Sequence, residues 1–186
     1  ATTAHVWQVA KLHNANMVKQ RESPYFRKLI DRFKRPVFFV ALDSNGDVVG
    51  YVAARPVRPP TVKVGKHTRL NFVSMAVASK WRSLGIAQDL IMAMQDEVRG
   101  RPEMEYIYGH VRGQNKGARR LYDKMGFRLK RIGKYADDGD DKYLLKKRYR
   151  LPSLKPYWQQ YKDYIMWFGV GVGTHEAIHF VRDYED

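Results

Sequence analysis

The sequence predicts an α/β protein in which one central sheet is flanked by helices. Segments with helical spacing alternate with short apolar runs typical of strands, and the Asn45-Gly46 pair between two such runs indicates a β-hairpin. An apolar strand near the middle of the chain also passes directly into an amphipathic helix. At 186 residues, the chain is long enough for one well-buried domain and an appendage. We therefore expect one domain over residues 1–150 and an aromatic, partly helical extension over 151–186.

The first half of the domain should contain two helices and a hairpin. Ser23-Pro24 is a typical helix start, because the first helical position does not need a hydrogen-bonded N–H. The Pro-rich, basic stretch after the hairpin is predicted to be a loop. The predicted elements of this half are helices over 6–20 and 25–34, strands over 36–42 and 48–55, and a loop over 56–67.

The second half should alternate strands with helices. A glycine closes each predicted helix, Gly100 the first and Gly126 the second. An acidic turn over 137–141 separates the last two strands. The predicted elements of this half are a buried strand over 70–78, a helix from residue 87, a strand over 106–111, a helix from residue 115 and a strand on each side of the acidic turn.

The turn over residues 82–87 joins the buried strand to the helix that follows it. Unpaired backbone N–H groups and the helix dipole favour an anion at such a helix start, and Gly85 lets a ligand approach the backbone closely. The spacing matches neither the G-x-G-x-x-G fingerprint nor a loop that ends in Gly-Lys-Ser/Thr. We therefore expect phosphate to bind here in a different type of nucleotide site.

Two sequence blocks resemble the GNAT superfamily of acetyl-CoA-dependent N-acetyltransferases. In the first, Arg82, Gly85 and Ala87 occupy the three defining places of that superfamily's Gln/Arg-x-x-Gly-x-Gly/Ala motif. The second spans residues 115–127 and resembles the segment Asn-x-x-Ala-x-x-Leu-Tyr-x-x-x-Gly-Phe. The order and separation of the two blocks also fit that superfamily.

The most similar subgroup is the protein N-terminal (Nα) acetyltransferase catalytic subunits, together with the ribosomal-protein alanine acetyltransferases. Two features carry this similarity. Val111-Arg112 runs into Asn115, and a tyrosine-containing acidic hairpin follows over 134–143. In the enzymes that this chain resembles, that hairpin lies over the peptide entrance.

The resemblance implies a GNAT fold with a mixed, mostly antiparallel sheet that is splayed near its middle, and it implies acetyl-CoA as co-substrate. It places the phenol of Tyr122 beside the thioester sulfur, where it can donate a proton to the leaving thiolate. By spacing alone Tyr122 is a core residue and Asn115 is a helix N-cap. No metal is expected. The acetyl-CoA-binding residues implied by the resemblance are Met75, Ala76, Val77, Arg82, Ser83, Leu84, Gly85, Ile86, Ala87, Asn115 and Tyr122.

The catalytic base is expected outside the central strand. Many GNAT enzymes use a glutamate of that strand, but residues 70–78 contain no carboxylate. His110, with an ordinary pKa near ~6.5, is the best-matched base, and Tyr135 is the second candidate. A lone strand histidine is also common as a purely structural residue. Some Nα-acetyltransferases similar to this chain carry a second catalytic tyrosine on the central strand, where this chain has Asn71 or Val73.

The acceptor is expected to be the α-amine of a protein or peptide N-terminus. At pH 7 an α-amine is roughly one-tenth neutral, whereas a lysine amine is neutral about once in 2,500 molecules, a difference of ~3.5 kcal/mol. Tyr25 and Tyr135 are the expected substrate-binding residues. The acidic turn either attracts the substrate ammonium group or is simply a solvated hairpin turn. The alternative acceptors are lysine and small-molecule amines.

Charge and composition restrict the cellular context. The net charge of +15 would attract ribosome, RNA or acidic protein partners. No RNA-binding signature accompanies the charge, so a basic surface around the CoA site is the preferred interpretation, and a non-catalytic RNA-binding module is the competing one. The chain has no cysteine, no apolar run long enough for a membrane span and no signal-peptide pattern, so we expect a cytoplasmic protein without membrane contact. The sequence leaves open an auxiliary subunit.

One motif in the extension points to a different chemistry. His175-Glu176-Ala177-Ile178-His179 has the H-E-x-x-H pattern that binds zinc when it lies on a helix, and a zinc protease is therefore a further alternative. Only seven residues follow His179 and none of them is a histidine. We interpret the motif as a chance match on a short amphipathic helix.

Overall fold

The computed structural model describes residues 3–17, 19–32, 37–57, 68–101, 104–149 and 179–182. Over these residues the chain forms a seven-stranded sheet with the order β5-β6-β4-β3-β2-β1-β7. All neighbouring strands are antiparallel except β3 and β4, which are parallel. The strands are β1 (Val37–Leu42), β2 (Val48–Val57), β3 (Thr68–Val77), β4 (Met104–Arg112), β5 (Arg128–Lys134), β6 (Asp141–Arg148) and β7 (His179–Arg182).

Helices lie on both faces of the sheet and create two hydrophobic cores. On one face, α1 and α2 bury a cluster around Phe26 and Tyr51. On the other, α3 and α4 cover a larger cluster around Leu70, Ile91 and Phe127. The sheet is thus the middle layer of three. The helices are α1 (Thr3–Asn16), α2 (Ser23–Arg32), α3 (Ile86–Arg99) and α4 (Lys116–Lys124), with a short 3₁₀ turn at Ser79–Trp81.

The parallel pair β3–β4 separates halfway along its length. Pairing begins at Thr68 and Met104 and ends at Phe72 and Gly109, although both strands continue. A Cβ at Gly109 would lie 2.9 Å from the carbonyl oxygen of Phe72, so the last paired position requires a residue without a side chain. Beyond it a gap opens between the two strands. The expected mixed, mostly antiparallel and splayed sheet is confirmed.

A β-bulge marks the place where the gap begins. Ala53 of β2 pairs with Ser74 and Ala54 pairs with Phe72, which leaves Val73 as an extra residue in β3. Because side chains alternate along a strand, one extra residue exchanges the faces of everything that follows. Leu70 and Phe72 therefore face α3 and α4, whereas Ser74 faces α1.

The predicted boundaries of β2 and of the extension differ from the structure. Pro56 and Val57, expected in a loop, belong to β2, and they can do so because β2 is still paired with β3 at these positions. Residues 58–67 of that loop and 151–178 of the extension lie outside the described residues. His179 begins a strand that pairs with β1, so the expected helix does not extend to this end of the H-E-x-x-H motif.

Candidate active site

The turn before α3 has the backbone geometry of an anion site. Gly85 is the N-cap of α3 with φ of 90°, a left-handed conformation that a glycine adopts at little cost, and Ser83 is also left-handed with φ of 65°. No side chain caps the first N–H groups of α3. A Cβ added at Gly85 would meet no atom within 4 Å, so the turn is open on its outer side. These features fit a pyrophosphate.

The side chain of Arg82 stabilises this turn from within. Its Nε donates to the carbonyl oxygen of Val77 at 3.2 Å, and its Nη2 donates to the side-chain oxygen of Asn16 at the end of α1. The guanidinium group therefore connects the turn with β3 and with α1. These contacts fix the shape of the turn. Phosphate binding by the backbone N–H groups of the turn remains a prediction.

The backbone of Met75–Val77 lies along the gap. These residues pair with β2 on one side, from Gly50 to Val52. On the other side, β4 has already separated, so among the described strands none takes up their backbone groups there. The Val77 carbonyl oxygen already accepts from Arg82, but strand N–H and C=O groups without a partner are suited to hold an extended ligand as an additional strand would be held. The predicted role of these residues in positioning the thioester remains a prediction.

His110 is the first residue of β4 beyond the last paired position, and it reaches the gap from the α1 side of the sheet. Its neighbour Val111 is buried in the core under α3 and α4, so the His110 side chain points the other way and is exposed. Loss of water around the ring lowers its pKa, and the nearby ammonium group of Lys142 lowers it further. The imidazole is consequently neutral at pH 7 and available to accept a proton.

Tyr122 reaches the same gap from the opposite face. Its ring is 8% exposed and packs edge-on against Phe72, at 5.6 Å between centroids, and against Phe127 at 5.9 Å. Burial raises the pKa of its phenol, which therefore stays protonated. The hydroxyl has no hydrogen-bond partner among the described residues. Asn115 caps α4 by accepting a hydrogen bond from the N–H of Ala118 at 3.1 Å, as its sequence position predicts.

Tyr135 lies at the base of the turn between β5 and β6 and is half-buried. The guanidinium group of Arg112 sits over its ring at 4.2 Å, and Lys142 lies over it at 5.4 Å. Burial raises the pKa of the phenol more than the charge of Arg112 lowers it. Tyr135 is therefore a poorer proton acceptor at neutral pH than His110, and it is better suited to contact a substrate.

The acidic turn is largely neutralised by its own neighbours. Arg112 binds both Asp137 and Asp138, and Arg131 binds Asp141. Asp140 accepts a long hydrogen bond from the backbone N–H of Gln114. The turn is thus closed onto the end of β4. Its expected role in attracting a substrate ammonium group is weakened, because the carboxylates already have cationic or N–H partners.

Tyr25 lies in the first turn of α2 and packs on the α1-side core. Its ring meets Phe26 edge-on at 5.2 Å and is covered by the guanidinium group of Arg21 at 4.3 Å. It is half-buried and so remains partly available to a substrate. Its predicted substrate role remains a prediction.

The zinc motif is not assembled in the part of the chain that the structure describes. His179 is extended and pairs with Leu42, whereas His175 and Glu176 lie outside the described residues. The described residues contain no group of three or more metal-ligating side chains. No described helix has the length and apolar character of a membrane span.

Comparison with known proteins identifies the family. The profile of the acetyltransferase (GNAT) family matches residues 6–127. The chain belongs to this family. The N-terminal acetyltransferase A complex catalytic subunit NAA10 of Arabidopsis thaliana is 35% identical over 113 residues, which are 60% of this chain and 56% of the relative. The N-alpha-acetyltransferase of Sulfurisphaera tokodaii is 30% identical over 154 residues, 78% of this chain and 88% of the relative.

A solved structure agrees with the family assignment. The crystal structure of Arabidopsis thaliana NAA60 in complex with acetyl-CoA superposes with a TM-score of 0.68 at 24% identity, and it covers 78% of this chain and 95% of that one. The GNAT fold predicted from the two sequence blocks is confirmed. The similarity to Nα-acetyltransferases, predicted from residues 111–115 and the acidic hairpin over 134–143, is confirmed as well. As in the rest of the family, the co-substrate is acetyl-CoA.

Within this GNAT domain, sequence reasoning did not identify Arg112 as a site residue. The structure shows that this arginine binds the acidic turn and covers Tyr135. The sequence offers one signal for this role, because Arg112 lies two residues after His110 and precedes four aspartates that need cationic partners. The pairing between them depends on a contact across the sheet end, which no local pattern reports.

Proposed function

We propose that this chain transfers the acetyl group of acetyl-CoA to the α-amine of protein or peptide N-termini, by direct attack in a ternary complex. The observation that carries the proposal is the placement of His110 and Tyr122 on opposite faces of the sheet at the same end of the β3–β4 gap. A neutral imidazole on the amine side and a protonated phenol on the sulfur side are the two groups that the reaction needs.

The proposed reaction uses these groups in one transfer. The amine nitrogen bonds to the thioester carbonyl carbon while the carbon–sulfur bond breaks. His110 receives the proton of the attacking amine, directly or through a water, and Tyr122 provides a proton to the departing sulfur. The chain has no cysteine to carry an acyl intermediate, which is consistent with direct attack. The turn before α3 and the backbone of Met75–Val77 hold the donor in place.

Two considerations favour an N-terminal amine as the acceptor. The relatives above are named for acetylation at the α-amine or the N-terminus. A site whose base is a single neutral histidine is also better matched to an α-amine than to a lysine amine, which is protonated far more completely at pH 7. Because the plant relative is named as a subunit of a complex, we also propose an auxiliary subunit for this chain. Location in the cytoplasm remains a prediction.

The test uses two otherwise matched peptides that differ in the free amine they offer. One member has a free N-terminus and no lysine, and the other is blocked at the N-terminus and carries one lysine. We expect the free N-terminus to be acetylated about two orders of magnitude faster or more at pH 7, the scale set by the ~3.5 kcal/mol difference in deprotonation. Initial rates from coenzyme A release give the comparison.

Two variants serve as controls for this assay. Gly85→Asp should lose acetyl-CoA binding, because it places a negative charge and a strained side chain at the turn. His110→Ala should keep acetyl-CoA binding and lose turnover. Equal rates on both peptides would contradict the N-terminal acceptor and support lysine or small amines instead.

A further inference from the structure

One face of the sheet carries many cations and lies outside the site described above. Tyr106 and Tyr108 of β4 alternate with core residues, so they project from the same face as His110. Their partners in the neighbouring strands project with them. We call this surface the basic face; it consists of Arg69, Tyr108, Arg128, Lys130, Lys146 and Arg148.

The described helices leave this surface open. On this side of the sheet, α1 packs over β2 and β3. The side chains of Arg128, Lys130 and Arg148 are exposed, and those of Tyr108 and Lys146 are partly exposed. A ligand can therefore reach the basic face without displacing any described element.

The cations of the basic face have few anionic partners. Within the described strands, the only carboxylates are Glu105 and Asp141, and alternation directs Asp141 to the other face. Asp141 is already bound to Arg131 there. Glu105, at the start of β4, forms one long ion pair with Arg148 at 3.9 Å. The described residues therefore neutralise little of the positive charge of this face.

At the centre of the face, positive charges again outnumber their anionic partners. Arg69 and Lys146 both lie on the ring of Tyr106, at 5.1 Å and 3.9 Å from its centroid. The Nε atom of Arg69 is buried and lacks a hydrogen-bond partner among the described residues. Two cations that share one aromatic ring repel each other, and a buried donor without an acceptor is costly. Anions bound beside these cations would reduce both costs.

We propose that the basic face binds single-stranded RNA through its phosphodiester backbone. The cations are distributed over β3, β6 and β5, so they offer positions for several phosphates in two directions rather than for one isolated charge. An open sheet surface with a partly exposed tyrosine suits an unpaired strand, whose bases are free to stack, better than a duplex groove. The choice of RNA over DNA rests on the proposed function, because protein N-termini emerge at the RNA-rich surface of the ribosome.

The test compares two triple variants of the full chain. The first, Arg128→Gln/Lys130→Gln/Arg148→Gln, removes three exposed cations from the basic face. The matched control, Lys28→Gln/Arg120→Gln/Lys124→Gln, removes three exposed cations from α2 and α4. The probe is a fluorescein-labelled oligouridine of about 16 nucleotides, and its anisotropy is measured over a series of salt concentrations.

The salt dependence gives a quantitative expectation. Each phosphate contact with single-stranded nucleic acid contributes about 0.7 to the slope of log affinity against log salt. The basic-face variant should therefore lose about two units of slope and bind at least tenfold more weakly at low salt. The control should keep the slope of the wild type. Acetyl-CoA binding and peptide acetylation should be the same in all three proteins.

Four results would overturn the proposal. They are no RNA binding by the wild type at micromolar protein, equal losses in both variants, tighter binding of oligodeoxythymidine of the same length, and displacement of RNA by a polyglutamate peptide of equal charge at equal or lower concentration. The last would identify an acidic protein segment as the occupant. A chain that binds RNA at this face but acetylates no peptide would retain the RNA site and contradict only the proposed acetyl transfer.

Discussion

At the scale of single residues, the environment of His110 sets its proton affinity. Lys142 stands beside it on the neighbouring strand, and its charge opposes protonation of the ring. The neutral form is the one that can accept a proton. A lowered pKa therefore keeps the base competent further into the acidic range than an isolated histidine would be.

Replacing Lys142 with glutamine should make the enzyme more sensitive to acid. Without the ammonium charge, the pKa of His110 rises, so the imidazole becomes protonated at a higher pH and kcat/KM falls earlier on acidification. We expect the acidic limb of the kcat/KM profile to move upward by roughly half a unit or less at low salt, because exposed charges interact weakly in water.

The control for this shift is Lys134→Gln, which removes an exposed cation from the opposite face of the hairpin. Its profile should coincide with that of the wild type. A shift of equal size in both variants would mean that overall charge, and not the neighbour of His110, moves the profile.

At the scale of elements, Arg112 ties the β5–β6 hairpin to the end of β4. One guanidinium group binds Asp137 and Asp138 and also covers Tyr135. Exposed ion pairs contribute on the order of 0.2–1 kcal/mol each, so this contact is too weak to determine the fold. Its free energy is sufficient to favour one position of the hairpin turn beside His110.

Arg112→Gln should loosen the hairpin turn. We expect a peptide KM several-fold higher, by about 3–10 times, with little change in acetyl-CoA affinity, since α3 and its turn lie on the other side of the sheet. Steady-state kinetics with a free N-terminal peptide give the peptide KM, and a separate binding titration gives the acetyl-CoA affinity.

The comparison variant is Arg131→Gln, which breaks the exposed pair with Asp141 at the base of the same hairpin and leaves the contacts of Tyr135 intact. It should keep the peptide KM. If both variants, or neither, raised KM, the hairpin turn would have no specific part in peptide binding.

The elements of the fold and of the site differ in how well the sequence predicts them. The start of α3 and the cap of α4 were predictable, because glycine and asparagine at helix starts act through local backbone geometry. The bulge at Val73 was not, since every residue around it suits a regular strand. The Arg112 contacts were not predictable either, because they join residues 25 and 26 positions apart.

At the scale of the whole molecule, a buried polar chain connects α1 with the sheet. The Nε2 of His13 donates to the carbonyl oxygen of Lys19 at 2.9 Å, and its Nδ1 lies 2.6 Å from the hydroxyl of Tyr51. That hydroxyl is 3.1 Å from the hydroxyl of Ser74, just past the bulge. Since the carbonyl can only accept, the neutral ring carries its proton on Nε2 and accepts at Nδ1 a hydrogen bond that the Tyr51 hydroxyl donates. The chain joins α1, β2 and β3.

This arrangement makes stability depend on the charge of His13. Burial lowers its pKa in the folded state, so the neutral form is favoured there. The stabilising effect of the neutral His13 ring is fully present above the pKa of ~6.5 that His13 has in the unfolded state. It is lost as the pH falls through the lower pKa of the folded state. The folded protein should therefore become less stable on acidification from pH 7 to pH 5.

His13→Gln tests this dependence. At pH 7 the variant should be less stable by about 1–3 kcal/mol, the usual cost of an unsatisfied buried group. The difference from the wild type should shrink towards pH 5, because the wild type loses its advantage when His13 is protonated. Urea unfolding at several pH values measures both proteins, and a difference that is independent of pH would contradict this role of His13.

The outer strand β5 has a consequence for contacts between copies of the protein. It ends the sheet, and among the described elements only β6 pairs with it. Four of its seven residues are lysine or arginine, and its ladder is irregular between Arg131 and Gly133. A second copy that approached in strand register would place cations opposite cations along an irregular ladder. The open edge of the sheet is therefore protected by its own charge against growth into an intermolecular β-structure.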